Sequence, residues 1–175
     1  MRYALVYGSI AGLIVIAVIV ASLALDLPSH ATTEWLGYLV MLVAMSLIFV
    51  GVKRYRDVEC GGVIRFGRAL ALGSAIAAVA GVIYVIGWEL NVAFSGRDFM
   101  GEYSKGIIDS MRVEGASAST IAAKQAEMRS FAEMYRNPIV RLPLTFIEIF
   151  PVGLLVALVS AGLLRDPTRF PARTR

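Results

Sequence analysis

Residues 69–94 read ALALGSAIAAVAGVIYVIGWELNVAF, a stretch with one charged side chain, Glu89. A hydrocarbon core about 30 Å thick is crossed by about 20 residues of α-helix rising 1.5 Å each, so this stretch is long enough to span it. A strand in lipid leaves its edge N–H and C=O groups unsatisfied, and nothing here alternates as a barrel strand does. The segment therefore reads as a transmembrane helix.

Three further apolar runs have comparable length, at about 3–25, 35–52 and 142–164. With 58% hydrophobic and 17% charged residues and a mean hydropathy of +0.71, the chain is too apolar for a soluble domain. The prediction is an all-α integral membrane four-helix bundle, a single membrane domain over residues 1–175 solvated by the lipid bilayer. Arg2 before the first run and Ser22-Leu23-Ala24 within it resemble a signal peptide. That run exceeds the usual signal core of about 7–15 residues, so it is read as a retained helix.

Lys and Arg in short loops orient the spans. Lys53, Arg54, Arg56, Arg65 and Arg68 lie between the second and third, and Arg165, Arg169, Arg173 and Arg175 follow the fourth, whereas Asp26 to Glu34 contains none. Both termini and the middle connector are expected in the cytoplasm. The long connector Ser95 to Arg141 is expected outside, although it has seven basic and six acidic residues. The formal charge of +4 comes without a nucleic-acid motif, and the basic residues adjoin apolar runs, so anionic lipid headgroups are the expected partner and nucleic acid is not.

Within the long connector, Met100, Tyr103, Ile107 and Met111 recur at helical spacing after a capping Asp98, and Gly115 ends the run. Ser117 caps a second helix with a Met128, Phe131, Ala132 and Tyr135 face, and Asn137-Pro138 stops it. The expectation is an extracytoplasmic helical hairpin over residues 98–136. In the spans, Gly8 and Gly12, then Gly73, Ala77 and Gly81, then Gly153, Ala157 and Ala161 repeat every four residues. Such repeats let helix backbones approach, within the bundle or in a homo-oligomer.

Two carboxylates interrupt apolar spans, where charge is expensive. Glu89 lies five residues before Phe94 and Glu148 six after Leu142. At 1.5 Å per residue both fall roughly 7–9 Å below the outer mouth. With Tyr84, and with Pro151 freeing the Ile147 carbonyl, they form a candidate intramembrane polar site for a cation or a shared proton. Structural roles compete with that reading. Thr145-Phe146-Ile147-Glu148 fits a capping box, and Glu89 is in sequence reach of Arg97, Arg141 or Tyr84. Gly61-Gly62 beside Arg56 and Arg65 is a candidate lipid or anion contact, or simply an interfacial turn with snorkelling arginines.

The only cysteine, Cys60, has no intramolecular disulfide partner, and the only histidine, His30, sits in a short polar loop. No P-loop, GxSxG, HExxH or CxxC pair is present, so no catalytic residue and no cofactor is assigned.

Phe49-Val50-Gly51-Val52-Lys53, Tyr55-Arg56-Asp57, Gly61 to Gly67, Tyr84 with Trp88-Glu89, Asp98-Phe99, Gly115-Ala116-Ser117, Tyr135 with Asn137-Pro138, and Thr145 to Gly153 together resemble a bacterial membrane family, domain of unknown function 4199. Thr120 stands where that family carries Glu. The resemblance implies a four-helix protein of the bacterial inner membrane and brings no activity with it. The expected function is a non-enzymatic membrane scaffold or partner-binding component; the alternative is a small oligomeric ion- or proton-coupled transporter or channel using the two glutamates.

Overall fold

The computed structural model describes residues 1–24 and 31–171. Asp26, His30, Arg173 and Arg175 lie outside the described residues. Among those described there are helices and no strand: α1 (Arg2–Ala24), α2 (Ala31–Met45), α3 (Leu47–Glu59), α4 (Phe66–Ser95), α5 (Phe99–Val113), α6 (Ala118–Tyr135) and α7 (Pro138–Leu164). Four helical stretches are long and apolar enough to cross a membrane: Arg2–Leu23, Gly37–Glu59, Phe66–Ser95 and Pro138–Leu164. The second includes Ser46, whose hydroxyl bonds the Val43 carbonyl at 2.6 Å, a local turn between α2 and α3.

The helices outrun the apolar stretches. α3 continues through Lys53 and Arg56 to Glu59, and α7 starts at Pro138 rather than Leu142. The cause of the early start is Asn137, whose side-chain oxygen accepts from the Ile139 N–H at 3.0 Å while Pro138 supplies a preset first helical residue.

The chain divides into two compact units, residues 1–88 with 146–175, and residues 89–145. In the first unit the small residues set the spacing. A Cβ on Gly8 would lie 2.7 Å from the Ile76 carbonyl oxygen, and one on Gly12 would lie 2.6 Å from that of Ala80. Gly87 faces Ile16, so contacts climb both helices together and α1 runs parallel to α4. Gly73 meets Ala157, and Gly153 meets Ala77, which makes α4 and α7 antiparallel. Tyr7 packs on Gly51 and Tyr3 bonds Glu59, making α3 antiparallel to α1. The core between them includes Val15, Met45, Ile48, Val52, Ile76 and Ile149. Every four-residue repeat seen in the sequence is thus used at contacts within the unit.

In the second unit, Asp98 accepts the Gly101 N–H at 3.0 Å to open α5, and Ser117 accepts the Thr120 N–H at 3.2 Å to open α6. Gly115, at φ 78°, makes the turn between two helices that touch. Ile108 and Met128 are its buried apolar residues, while Tyr103, expected on the apolar stripe, is 55% exposed. The buried face of α5 is turned toward Ile108, one position from Ile107.

Candidate functional site

The start of α1, the end of α3 and the end of α7 meet at one end of the first unit. Tyr3 donates to Glu59 at 3.0 Å and stacks edge-on against Tyr55. Arg56, expected at lipid headgroups, has a different setting: it is fully buried. Its Nε donates to Asp57 at 2.7 Å, and its terminal nitrogens donate to the carbonyls of Leu164, Arg169 and Phe170. The Leu164 carbonyl is among the last four of α7, which have no acceptor role inside the helix, so the guanidinium closes that helix from outside. Lys53 bonds the other Asp57 oxygen. Phe170 sits at φ 57°, unusual for a bulky residue, and is held there by Arg56 and by the Phe49 ring at 5.2 Å. Asp166 sets the preceding turn by accepting from the Thr168 hydroxyl and N–H at 2.7 and 3.0 Å, bonds that hold its carboxyl below the ordinary carboxylate range.

Gly61 and Gly62, at φ 62° and 87°, turn the chain out of α3, and the Gly62 N–H returns to the Arg56 carbonyl at 3.0 Å. The glycine pair therefore ends a helix with an N–H already committed. Beyond it Cys60, Ile64, Arg65 and Arg68 line an open depression of about 670 Å³. Arg65 is exposed there, and Arg68 lies over the Tyr55 ring while donating to its hydroxyl. Of the four residues expected to contact headgroups, Gly61 and Arg65 are exposed.

Tyr84 and Glu148 are brought together. Tyr84 is buried and its hydroxyl donates to Glu148 Oε2 at 3.2 Å, while Glu148 itself is exposed on the unit's surface. Among the described residues no basic side chain pairs with Glu148. Pro151 follows on α7, exposed and without an N–H for the Ile147 carbonyl. The capping-box reading does not hold, because α7 has already begun seven residues before Thr145, whose hydroxyl bonds back to the Arg141 carbonyl at 3.0 Å.

Glu89 belongs to the second unit and is held by Arg141, one of the partners the sequence allowed. Arg141 Nε donates to Oε1 at 2.6 Å and a terminal nitrogen to Oε2, a two-pronged pair. Arg141 also lies 5.8 Å from the centre of the Tyr135 ring. Glu89 stands six residues before the end of α4, and Glu148 ten residues after the start of α7. Asn91, nearby on α4, has a buried side-chain nitrogen without a hydrogen-bond partner. Among the described residues no three His, Cys, Asp or Glu side chains gather as a metal site would require.

Sequence reasoning missed a groove of about 240 Å³ in this unit, lined by residues that include Arg97, Arg129, Arg136 and Arg141. The signal was present: Arg129 on α6 and Arg136 at its C-terminal cap are seven residues apart, each one position after a residue of the Met128 to Tyr135 stripe.

Helices of this length and apolarity, with polar groups confined to helix ends and a few pairs, have the build of an α-helical membrane protein. The chain belongs to the family described as Protein of unknown function (DUF4199), whose model matches residues 6–166. No curated protein and no solved structure matches it.

Proposed function

We propose that this protein is a non-enzymatic, multi-pass component of the bacterial inner membrane, in which four spanning helices anchor α5 and α6 as an extracytoplasmic helical hairpin that binds a partner. The observation that carries this reading is the make-up of the second unit. Its helices fully bury two apolar residues, Ile108 and Met128, leave Phe99, Met100, Ile107, Met111 and Phe131 half-buried, and expose most of their charged side chains. So small a core suits a short element displayed on an anchor better than a catalytic scaffold. The meeting of the α1 start, the α3 end and the α7 end supports the orientation, because it collects Arg2, Arg54, Arg65, Arg68 and Arg165 on one side, the cytoplasmic one by the positive-inside rule.

Cysteine labelling tests it. In a Cys60→Ser background, Ser110→Cys is expected to react with a membrane-impermeant thiol reagent in intact cells and Thr168→Cys only after permeabilisation. The reverse pattern inverts the orientation, and protection of both positions removes α5 from the aqueous phase.

A second reading, ion or proton coupling in a homo-oligomer, rests on Glu148. An exposed carboxylate in an apolar helix, bonded to Tyr84 and not to a base, is expensive in lipid and suits a water-filled path or a contact between copies. Flux into liposomes that is abolished by Glu148→Gln supports it. Equal flux in both proteins discards it.

A further inference from the structure

We propose that the groove on the second unit is a binding site for the phosphate headgroup of an anionic phospholipid. The inference rests on the reading that α5 and α6 lie outside the hydrocarbon core, and it names what their surface meets there. Arg129 and Arg136 are exposed on the groove and, among the described residues, have no carboxylate partner. The unit's other arginines are already paired, Arg97 with Glu102, Arg112 with Asp109 and Arg141 with Glu89, as is Lys124 with Glu127. Arg129 and Arg136 thus face the same cleft; of the two other guanidiniums on its wall, Arg97 is paired with Glu102 and Arg141 with Glu89, and the Asp98 carboxylate there accepts from the Gly101 N–H.

Planar guanidinium forks match the oxygens of a phosphodiester, and their weak hydration favours such contacts at an interface. The remaining wall is amphipathic. Val92 and Met128 are apolar, and Tyr135 carries a hydroxyl on an aromatic ring, the kind of side chain enriched where bilayer meets water. The depth is set by the walls. Val92 stands in the last turn of α4 and Arg141 in the first turn of α7, so the groove lies where two helices of bilayer length end. A phosphate at that level belongs to a lipid whose glycerol and acyl chains continue along the apolar side. Free phosphate shares the oxygens but gains nothing from Val92 and Met128.

The test uses the full-length protein in detergent, with binding of phosphatidylglycerol and phosphatidylcholine followed by native mass spectrometry and thermal unfolding. Phosphatidylglycerol is expected to bind and raise the unfolding temperature, phosphatidylcholine to do so much less. Arg129→Gln with Arg136→Gln should weaken phosphatidylglycerol by about tenfold or more, since each basic residue near an anionic surface contributes of the order of a fivefold factor. Arg129→Lys with Arg136→Lys should retain part of the effect. Arg54→Gln with Arg65→Gln, at the other end of α4, should leave this saturable component in place. Unchanged phosphatidylglycerol binding in the Arg129/Arg136 double variant overturns the site, and so does equal binding of phosphatidylcholine. Full displacement by millimolar inorganic phosphate overturns the lipid as its ligand. The labelling pattern of Ser110→Cys is independent of all these outcomes, so loss of the lipid site and loss of the topology are told apart.

Discussion

Arg141 holds Glu89 by both carboxylate oxygens across 52 residues of sequence, one on the first turns of α7 and the other near the end of α4. The pair is mostly shielded, with side-chain exposures of 14% and 27%. Its geometry satisfies a carboxylate that would otherwise stand unpaired in an apolar helix.

Glu89→Gln is expected to lower stability by about 1.5–3 kcal/mol, the scale of a hydrogen bond to a charged group. Arg141→Lys should cost less than Arg141→Met but should not restore the native value, because an ammonium cannot make the two-pronged contact. Thermal unfolding of the three variants in one detergent checks the order. A fully stable Glu89→Gln protein would assign the glutamate to something other than this pair.

Arg56→Met should be more damaging, by roughly 3 kcal/mol or more, because it leaves Asp57 short of a partner and several carbonyls unsatisfied in a buried place. Arg56→Lys is expected to recover only part of the loss. Protease sensitivity of the segment after Leu164 should rise in both variants, and resistance equal to the parent protein would contradict the clamp.

Gly12→Ala sets a methyl group against the Ala80 backbone oxygen, which cannot turn aside as a side chain can. The expected cost is about 1–3 kcal/mol from separating α1 and α4. Gly162→Ala, with open space around it, is expected to be neutral or to stabilise by up to about 1 kcal/mol through helix propensity. Similar unfolding temperatures for the two variants would show that α1 and α4 are not in such close contact.

Tyr84→Phe removes the donor to Glu148, and Glu148→Gln keeps an acceptor. A double-mutant cycle on thermal stability is expected to give a coupling of about 1 kcal/mol. Additive effects would mean that the hydroxyl and the carboxylate do not interact in the folded protein.

Asn91→Leu is expected to stabilise by about 1 kcal/mol, since it removes a buried nitrogen that has no acceptor. A loss of stability at this position would show that the amide has a partner that the fold leaves unseen.

The four bilayer-length helices and the small-residue contacts were legible because long apolar runs and four-residue spacing are local signals. Asp98, Ser117 and Gly115 acted where they stand for the same reason, since a cap and a left-handed glycine are read from a few neighbours. Asn137 was read only as a stop, and its second role in opening α7 lengthened the helix by one turn beyond the apolar run. Arg56 was not legible. Its acceptors are backbone oxygens far along the chain, and a carbonyl has no identity in sequence, so Arg56 looked like any basic residue beside an apolar run. The arginine groove was half visible, since the seven-residue spacing from Arg129 to Arg136 is local whereas Val92 and Arg141 arrive on its wall only through folding.

Arg56 is synthesised well before its acceptors exist. The carbonyls of Leu164, Arg169 and Phe170 come 108, 113 and 114 residues later. At roughly 5–20 residues per second, the ribosome needs about 5 to 20 seconds to make them. Throughout that interval a guanidinium with only Asp57 beside it is too costly to bury, so the end of α3 has to wait in water or among headgroups. The packing around the end of α3 can therefore close only when the end of α7 has arrived to receive the charge.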